Sequence, residues 1–181
     1  MPTTVQASAP EAPVDTHRTD FLQTMRAVPG AVAIVAAADG DDRTGMAATA
    51  WNSLTADPPM VLVCVNKSAS VHDLIHRTRA FSLNVMSVDD QETVAIFSAR
   101  TGLQGRDRFL EGRWSTGPGG QPLLIGSKAT FECDLVADHI YGTHSVFIGL
   151  VRGSQRHDEA DALLYLDGRF ARAGHLPATP E

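Results

Sequence analysis

Cysteine is scarce in this chain, which has only Cys64 and Cys133. Each stands inside an apolar, strand-like run with no second Cys or paired His nearby. That removes a disulfide framework, a local zinc site and a thiol nucleophile from consideration, and leaves two buried reduced thiols as the expectation. A basic block is also missing. The net charge is −6 and no stretch concentrates Lys and Arg, so nucleic-acid binding through phosphate neutralisation is not expected. No apolar run approaches the ~20 residues of a membrane-spanning helix. The opening "MPTTVQASAPEAPVDTHRTD" has no charged segment followed by an apolar one, so no secretory leader is expected. These absences together suggest a cytoplasmic protein without membrane or nucleic-acid partners. The chain also lacks G-x-G-x-x-G, a Walker-type loop, G-x-S-x-G, H-E-x-x-H and any evident pair of catalytic carboxylates. An enzyme so equipped works by letting a cofactor carry the chemistry.

What is present suits one folded domain of 181 residues, 43% hydrophobic and 20% charged, with no internal repeat. Residues 1–16, rich in Pro, Ala and Thr, read as a disordered arm, and 173–181 as a flexible tail; the domain spans 17–172. Within it, Phe21, Met25 and Val28 have helical spacing, with Thr19 or Asp20 as the N-cap. Strands are expected at 31–38, 44–52, 59–66, 81–86, 128–137, 141–151 and 162–170. The strand at 59–66, "PMVLVCVN", is apolar enough to be buried on both faces. "SASVHDLIHRT" has Val71, Leu74, Ile75 and Thr78 on one helical face. Ser87 and Asp90 form a capping-box pattern ahead of another helix. The stretch 100–127, with seven glycines and two prolines, reads as loop. Helices do not alternate strictly with strands, so the predicted fold class is mainly β with flanking helices: a closed antiparallel barrel with helices at its ends.

Three stretches invite chemistry. "GMAATA" (45–50) carries almost no side-chain bulk. Such a strand either turns a tight corner or lets a flat ligand lie against backbone. "NKSAS" (66–70) places Lys67, Ser68 and Ser70 at a helix start, where unpaired N–H groups favour an anion; simple N-capping by a serine is the alternative. His72 follows in the first turn, where an exposed surface position is the default. In "YGTHSVFIGLV", His144 begins the same side-chain row as Val146, Ile148 and Leu150. That predicts an imidazole at the rim of the apolar face, free to meet a ligand.

The segments "FLQTMRAVPGAVAIVAAADG", "GMAATAWNSLTADPPMVLVCVNKSASVHDLI", "FSLNVM", "DRF", "GTHSVFIGLV" and "ALLYLDGRF" occur in the order of the short-chain flavin reductases, and the chain resembles that family over residues 20–171. These are NAD(P)H:flavin oxidoreductases that supply reduced flavin to two-component monooxygenases. The pyrimidine-utilisation members are especially similar around "NKSASV" and "GTH". The resemblance implies an FMN-binding split β-barrel, a homodimer, FMN or FAD with NADH or NADPH, and a monooxygenase partner reached by diffusing flavin. It implies that Met46, Ala47, Ala48, Thr49, Ala50, Asn52 and Ser53 line the isoalloxazine, continued by Cys64, Val65 and Asn66. Lys67, Ser68 and Ser70 would hold the flavin phosphate, and Arg106 and Phe109 would close over the flavin. His144 would be the catalytic-site residue meeting the nicotinamide nucleotide, flanked by Tyr165, Arg169 and Phe170. No metal is implied. The chain departs from many relatives at Thr143, Ala47 and Ala50-Trp51, where they carry Asp, a hydroxyl residue and Ser-Phe. Two other classes share the barrel: a flavin-holding electron carrier or sensor without turnover, and a flavin-dependent oxidase.

Overall fold

A computed structural model describes residues 16–174. The arm expected at 1–16 lies outside these but for Thr16, and the tail expected at 173–181 lies outside but for Ala173 and Gly174. The elements are α1 (Thr16–Arg26), β1 (Gly30–Ala31), β2 (Ala33–Asp39), β3 (Asp42–Ala48), β4 (Trp51–Ala56), β5 (Pro59–Asn66), α2 (Ser70–Thr78), β6 (Ala80–Val85), α3 (Gln91–Phe97), β7 (Trp114–Thr116), β8 (Pro122–Leu124), β9 (Ala129–Tyr141), β10 (His144–Arg156), β11 (Leu163–Leu166) and β12 (Arg169–Arg172). Seven strands form one antiparallel sheet in the order β3-β2-β6-β9-β10-β5-β4.

The edge strands β3 and β4 are consecutive in sequence. Only Thr49 and Ala50 separate them, so their ends can be at most about 11 Å apart. A flat seven-stranded sheet cannot satisfy that, and this one curls until its edges face each other. Among the described residues β3 and β4 share no ladder, so the expected closed barrel is open at this seam. A side-chain contact spans it instead: Trp51 Nε1 donates to the Ala31 carbonyl at 2.8 Å. Cys64 N donates to the Ala50 carbonyl at 2.8 Å and extends the β4–β5 pairing into the two-residue link.

Two apolar clusters flank the sheet. Inside the curl, Val35, Val63, Val65, Phe81, Leu83 and Phe147 pack against Val71, Leu74 and Ile75 of α2. On the other side of β2, Ile34, Met86 and Leu163 pack against Val94, Ile96 and Phe97 of α3, with Leu124. The strands buried on both faces are therefore β2, with residues 33–38 all buried, and β6, with residues 81–85 all buried, and not β5. In β5 only Val61, Val63 and Val65 are buried; Met60, Leu62 and Cys64 are half-exposed on the outer face.

β10 repeats the correction. Its buried row is Ser145, Phe147 and Gly149, while Val146, Ile148 and Leu150 lie half-exposed outside, across from Cys64, Leu62 and Met60. Both rows are apolar, so alternation alone could not tell which faced the core. The predicted strand 44–52 is in fact β3 and β4, broken at Thr49-Ala50, and 162–170 is a hairpin. Asp167 and Gly168 turn it with φ of 48° and 77°, the positive-φ pair that a two-residue Asp-Gly turn supplies. The loop-like stretch 100–127 contains the small hairpin β7–β8. Asn84 clamps that hairpin to the sheet, accepting from Leu124 N at 2.8 Å and donating to the Ile34 carbonyl at 3.3 Å. The capping box is present: Asp90 accepts from Ser87 N at 2.8 Å, and Ser87 Oγ accepts from Asp89 N at 3.3 Å. α1 starts at Thr16, earlier than the predicted cap, and leaves Phe21, Leu22, Met25 and Val28 exposed. No helix among the described residues is long and apolar enough to cross a membrane.

Cys133 is buried under Phe81 in the inner cluster. Burial pushes its thiol up to about 12, with Asp134 and Glu132 adding to the shift. At pH 8 only about one molecule in 10⁴ would carry the thiolate, the reactive form. Alkylation of native protein at pH 8, followed by peptide mapping, should leave Cys133 unmodified until denaturant is added. Rapid native labelling at that position would contradict the packing described.

Candidate functional site

β3 is the floor of a groove. Its first cavity, about 550 Å³, is lined by Gly45, Met46 and Ala47, by Ser68, Ala69 and Ser70 at the start of α2, and by Ser98, Leu103, Gln104 and Arg108. A second, about 190 Å³, shares Ala47 and Ser98 with it and adds Ala48, Thr49, Arg100, Tyr165 and Phe170. A third, about 350 Å³, shares Thr49 and Tyr165 and runs on past Ala50 to Leu22 and Met25 of α1 and to Val28 beyond it. The shared residues make these one trough along the sheet edge.

The small residues of β3 have two different causes. A Cβ on Gly45 would lie 2.8 Å from the Val35 carbonyl oxygen and 2.9 Å from the Phe97 ring. Packing alone demands that glycine. Ala47 and Ala48 are half-exposed, and their smallness keeps the groove open.

At one end of the groove sits α2. Its N-cap is Ala69, with no side-chain cap. Neither serine takes that role, so the simple N-capping alternative is set aside. Ser68 N and Oγ both donate to Asn66 Oδ1 at 2.9 Å. Ser70 Oγ and Thr44 Oγ1 are 2.7 Å apart. The helix therefore presents uncapped N–H groups and their partial positive charge beside the first cavity. Thr44 fixes the Ser70 hydroxyl, and exposed Lys67 stands next to the turn. That donor set suits a phosphate.

α2 is braced from behind. His72, expected on the surface, is 8% exposed. Its Nε2 lies 2.9 Å from Ser145 Oγ and its Nδ1 3.2 Å from Asp73 Oδ1. This resembles a hydrolytic triad only in its connectivity. Ser145 is fully buried, so no substrate reaches it, and the contact ties the helix start to β10. His72 also stacks near His76 and Phe147, at 4.8 and 5.3 Å between ring centres.

At the groove's other end the β11–β12 hairpin sets Tyr165 opposite Phe170, their rings 5.7 Å apart and edge-to-face. The groove thus gathers Met46, Ala47, Ala48, Thr49, Ala50, Ser68, Ser70, Tyr165 and Phe170. It does not gather every predicted residue. Asn52 and Ser53 are exposed on the edge strand β4, Val65 is in the core, and Cys64 faces outward. Asn66 acts through Ser68, and Lys67 and Arg169 lie exposed outside the cavity walls. Arg106 is turned away to Asp41, at 2.6 Å. Phe109 packs against Phe97 and Trp114, at 5.1 and 4.9 Å, and does not close over the groove.

Arg108, two residues from Arg106, is the one that lines the first cavity. Its Nη1 donates to the Gly45 carbonyl and its Nε to the Leu103 carbonyl, both at 2.9 Å. Sequence pattern assigns no site role to Arg108, Ser98 or Arg100, although Arg108 stands within the "DRF" that carries the resemblance; the segment from 100 onward lacks periodicity. His144 lies at the exposed start of β10, paired with Asn66 and Tyr141, with Nδ1 2.9 Å from Thr143 Oγ1. It lines none of the three cavities.

The model of the flavin reductase like domain matches residues 25–174, and the chain belongs to that family. It is 34% identical to the FMN reductase (NADH) RutF of Stutzerimonas stutzeri over 93% of this chain and 92% of that one. It is 31% identical to the reductase component of the 4-hydroxyphenylacetate 3-monooxygenase of Salmonella typhi, over 87% and 92%. Among solved structures, the NADH:FAD oxidoreductase SgcE6 of Streptomyces globisporus, in complex with NAD and FAD fragments, superposes with a TM-score of 0.80. That match is 27% identical and covers 92% of this chain and 98% of that one.

Proposed function

We propose that this chain is an NADH-dependent flavin reductase that takes FMN as its flavin and passes reduced flavin to a monooxygenase by diffusion. The observation that carries this reading is the uncapped start of α2 opening beside the small-residue floor of β3. The floor takes a flat ring system against backbone, and the helix start takes its phosphate. Family membership and the likeness to RutF, whose name pairs NADH with FMN, support the same assignment.

The bound flavin supplies hydride-accepting chemistry. The protein's part is placement. Met46, Ala47 and Ala48 seat one ring, and Tyr165 and Phe170 bound the space for the nicotinamide over it, within the near-attack distance of about 3 to 3.5 Å. No protein acid or base is needed for hydride transfer, in keeping with a groove whose lining holds none in an evident pair. Thr49 and Ala50 continue the floor toward α1. A cytoplasmic setting, where both thiols stay reduced, fits this role.

FMN should bind more tightly than riboflavin, which lacks the phosphate, by about 1.5 to 3 kcal/mol, the scale of charge-assisted hydrogen bonds. Fluorescence titration measures both constants; equal values would remove the phosphate from the α2 site.

We also propose a homodimer, the split barrel of one copy meeting that of another. The outer face of β4, β5, β9 and β10 supports this. It carries Leu54 at 46% and Tyr141 at 62% exposure, with Met60, Leu62, Val146, Ile148 and Leu150 half-exposed. Contiguous apolar surface of that kind marks interfaces. Sedimentation equilibrium at micromolar concentration should give twice the chain mass of 19.3 kDa; a single-chain mass would refute the dimer.

His144 stands at the end of that same face. In the dimer it would meet nucleotide held by the other copy, which reconciles its distance from the groove with the role first expected of it. His144→Ala should raise the KM for NADH roughly 5- to 150-fold, the loss of one hydrogen bond of about 1 to 3 kcal/mol. An unchanged KM would make it an ordinary surface residue.

A further inference from the structure

Among the described residues, arginines are generally committed. Arg26 holds Asp167, Arg77 holds Asp39 and Asp42, Arg79 holds Asp138 and Arg113 holds Asp90. Arg106, Arg152, Arg156 and Arg172 pair with Asp41, Asp134, Asp158 and Asp161. Arg43 donates to the Gly40 carbonyl, and Arg108 to the Gly45 and Leu103 carbonyls. The side chains of Arg18, Arg100 and Arg169 have no such partner. Of these, Arg100 alone lines one of the three cavities, the one bounded by Tyr165 and Phe170.

Its backbone setting is distinctive. Just past α3 and its cap Ser98, Ala99 has a φ of 58°, a left-handed conformation that glycine normally fills at a helix end. Arg100 N then donates to the Ala95 carbonyl at 3.2 Å and Ala99 N to the Ile96 carbonyl at 3.3 Å. The reversal redirects the chain just before Arg100 and leaves the guanidinium exposed at the cavity wall. A left-handed alanine is strained and persists where surrounding contacts hold it.

We propose that Arg100 is the anion anchor for the nicotinamide nucleotide, engaging the phosphate next to the nicotinamide ribose. The part of the trough beside Tyr165 and Phe170, about 190 Å³, takes a single ring. A phosphate one ribose away from that ring comes within reach of the unpaired guanidinium on the same wall. The flavin phosphate has its own site at the uncapped start of α2, beside Ser70 and Lys67, on the first cavity. A guanidinium suits a phosphate because it offers two parallel N–H donors. The assignment rests on the reductase reading and on placing the nicotinamide beside Tyr165 and Phe170.

The test is steady-state NADH oxidation with saturating FMN, for the wild type, Arg100→Ala and Arg100→Lys, with FMN affinity measured separately by fluorescence. Arg100→Ala should raise the KM for NADH about tenfold, the scale of one charge-assisted contact, with kcat within about twofold and FMN affinity unchanged. Arg100→Lys should recover most of the loss, and the difference between wild type and Arg100→Ala should shrink as salt rises. An unchanged KM with active wild type overturns the anchor while leaving the reductase reading intact. So does weakened FMN binding with normal KM, which would hand Arg100 to the flavin. Lowered thermal stability with normal KM would make Arg100 only a cation at a helix C-terminus. A wild type that does not oxidise NADH with FMN would overturn the reductase reading itself.

Discussion

The structure depends on a two-residue span. Thr49 and Ala50 join strands at opposite edges of a seven-stranded sheet, and a chain that short forces the sheet to curl. Everything at the site follows from that closure without a ladder. The inner face becomes a core that α2 must plug. β3 becomes a free edge whose backbone and small side chains are not covered by a neighbouring strand. Trp51 carries the load at the seam, filling the inner cluster while its indole holds the Ala31 carbonyl.

The same curl gives the groove its two unlike ends. At one end α2 has to enter the sheet's mouth directly from β5, through the Asn66–Ser68 turn, and it does so with Ala69 as its cap. Its N–H groups stay available because Asn66 is spent on Ser68 and Ser70 is spent on Thr44. At the other end the Asp167-Gly168 turn folds β12 back on β11 and sets two aromatic rings against the trough. Polar donors at one end and aromatic walls at the other are what a molecule with a phosphate tail and stacked planar rings requires. The buried contact of His72 with Ser145 keeps the polar end rigid by tying it to the core row of β10.

Much of this was legible in the sequence where one physical cause acted alone. The apolar face of α2, the capping box at Ser87 and Asp90, and the lean strand could each be read from residue type and spacing. Parity failed in β10 because Val146, Ile148 and Leu150 compete with Phe147, Gly149 and Val151. Only the position of α2 decides which row is inside. His72 was misplaced for a related reason: its partner Ser145 is 73 residues away, and local pattern cannot register such a contact. The β11–β12 hairpin was missed although its Asp-Gly pair signals a turn. Arg108 and Arg106 were interchanged because one short turn of non-periodic chain decides which points inward.

The account's central claim is that the groove along β3 holds flavin and nicotinamide together so that electrons pass from one to the other. The most direct measurement is NADH oxidation by the purified protein with free FMN in large excess, followed by the NADH absorbance. The account predicts many turnovers per chain, with the flavin leaving in reduced form each time. Oxidation that stops after one equivalent of NADH per chain, with flavin retained, would contradict it and describe a flavin-holding carrier instead.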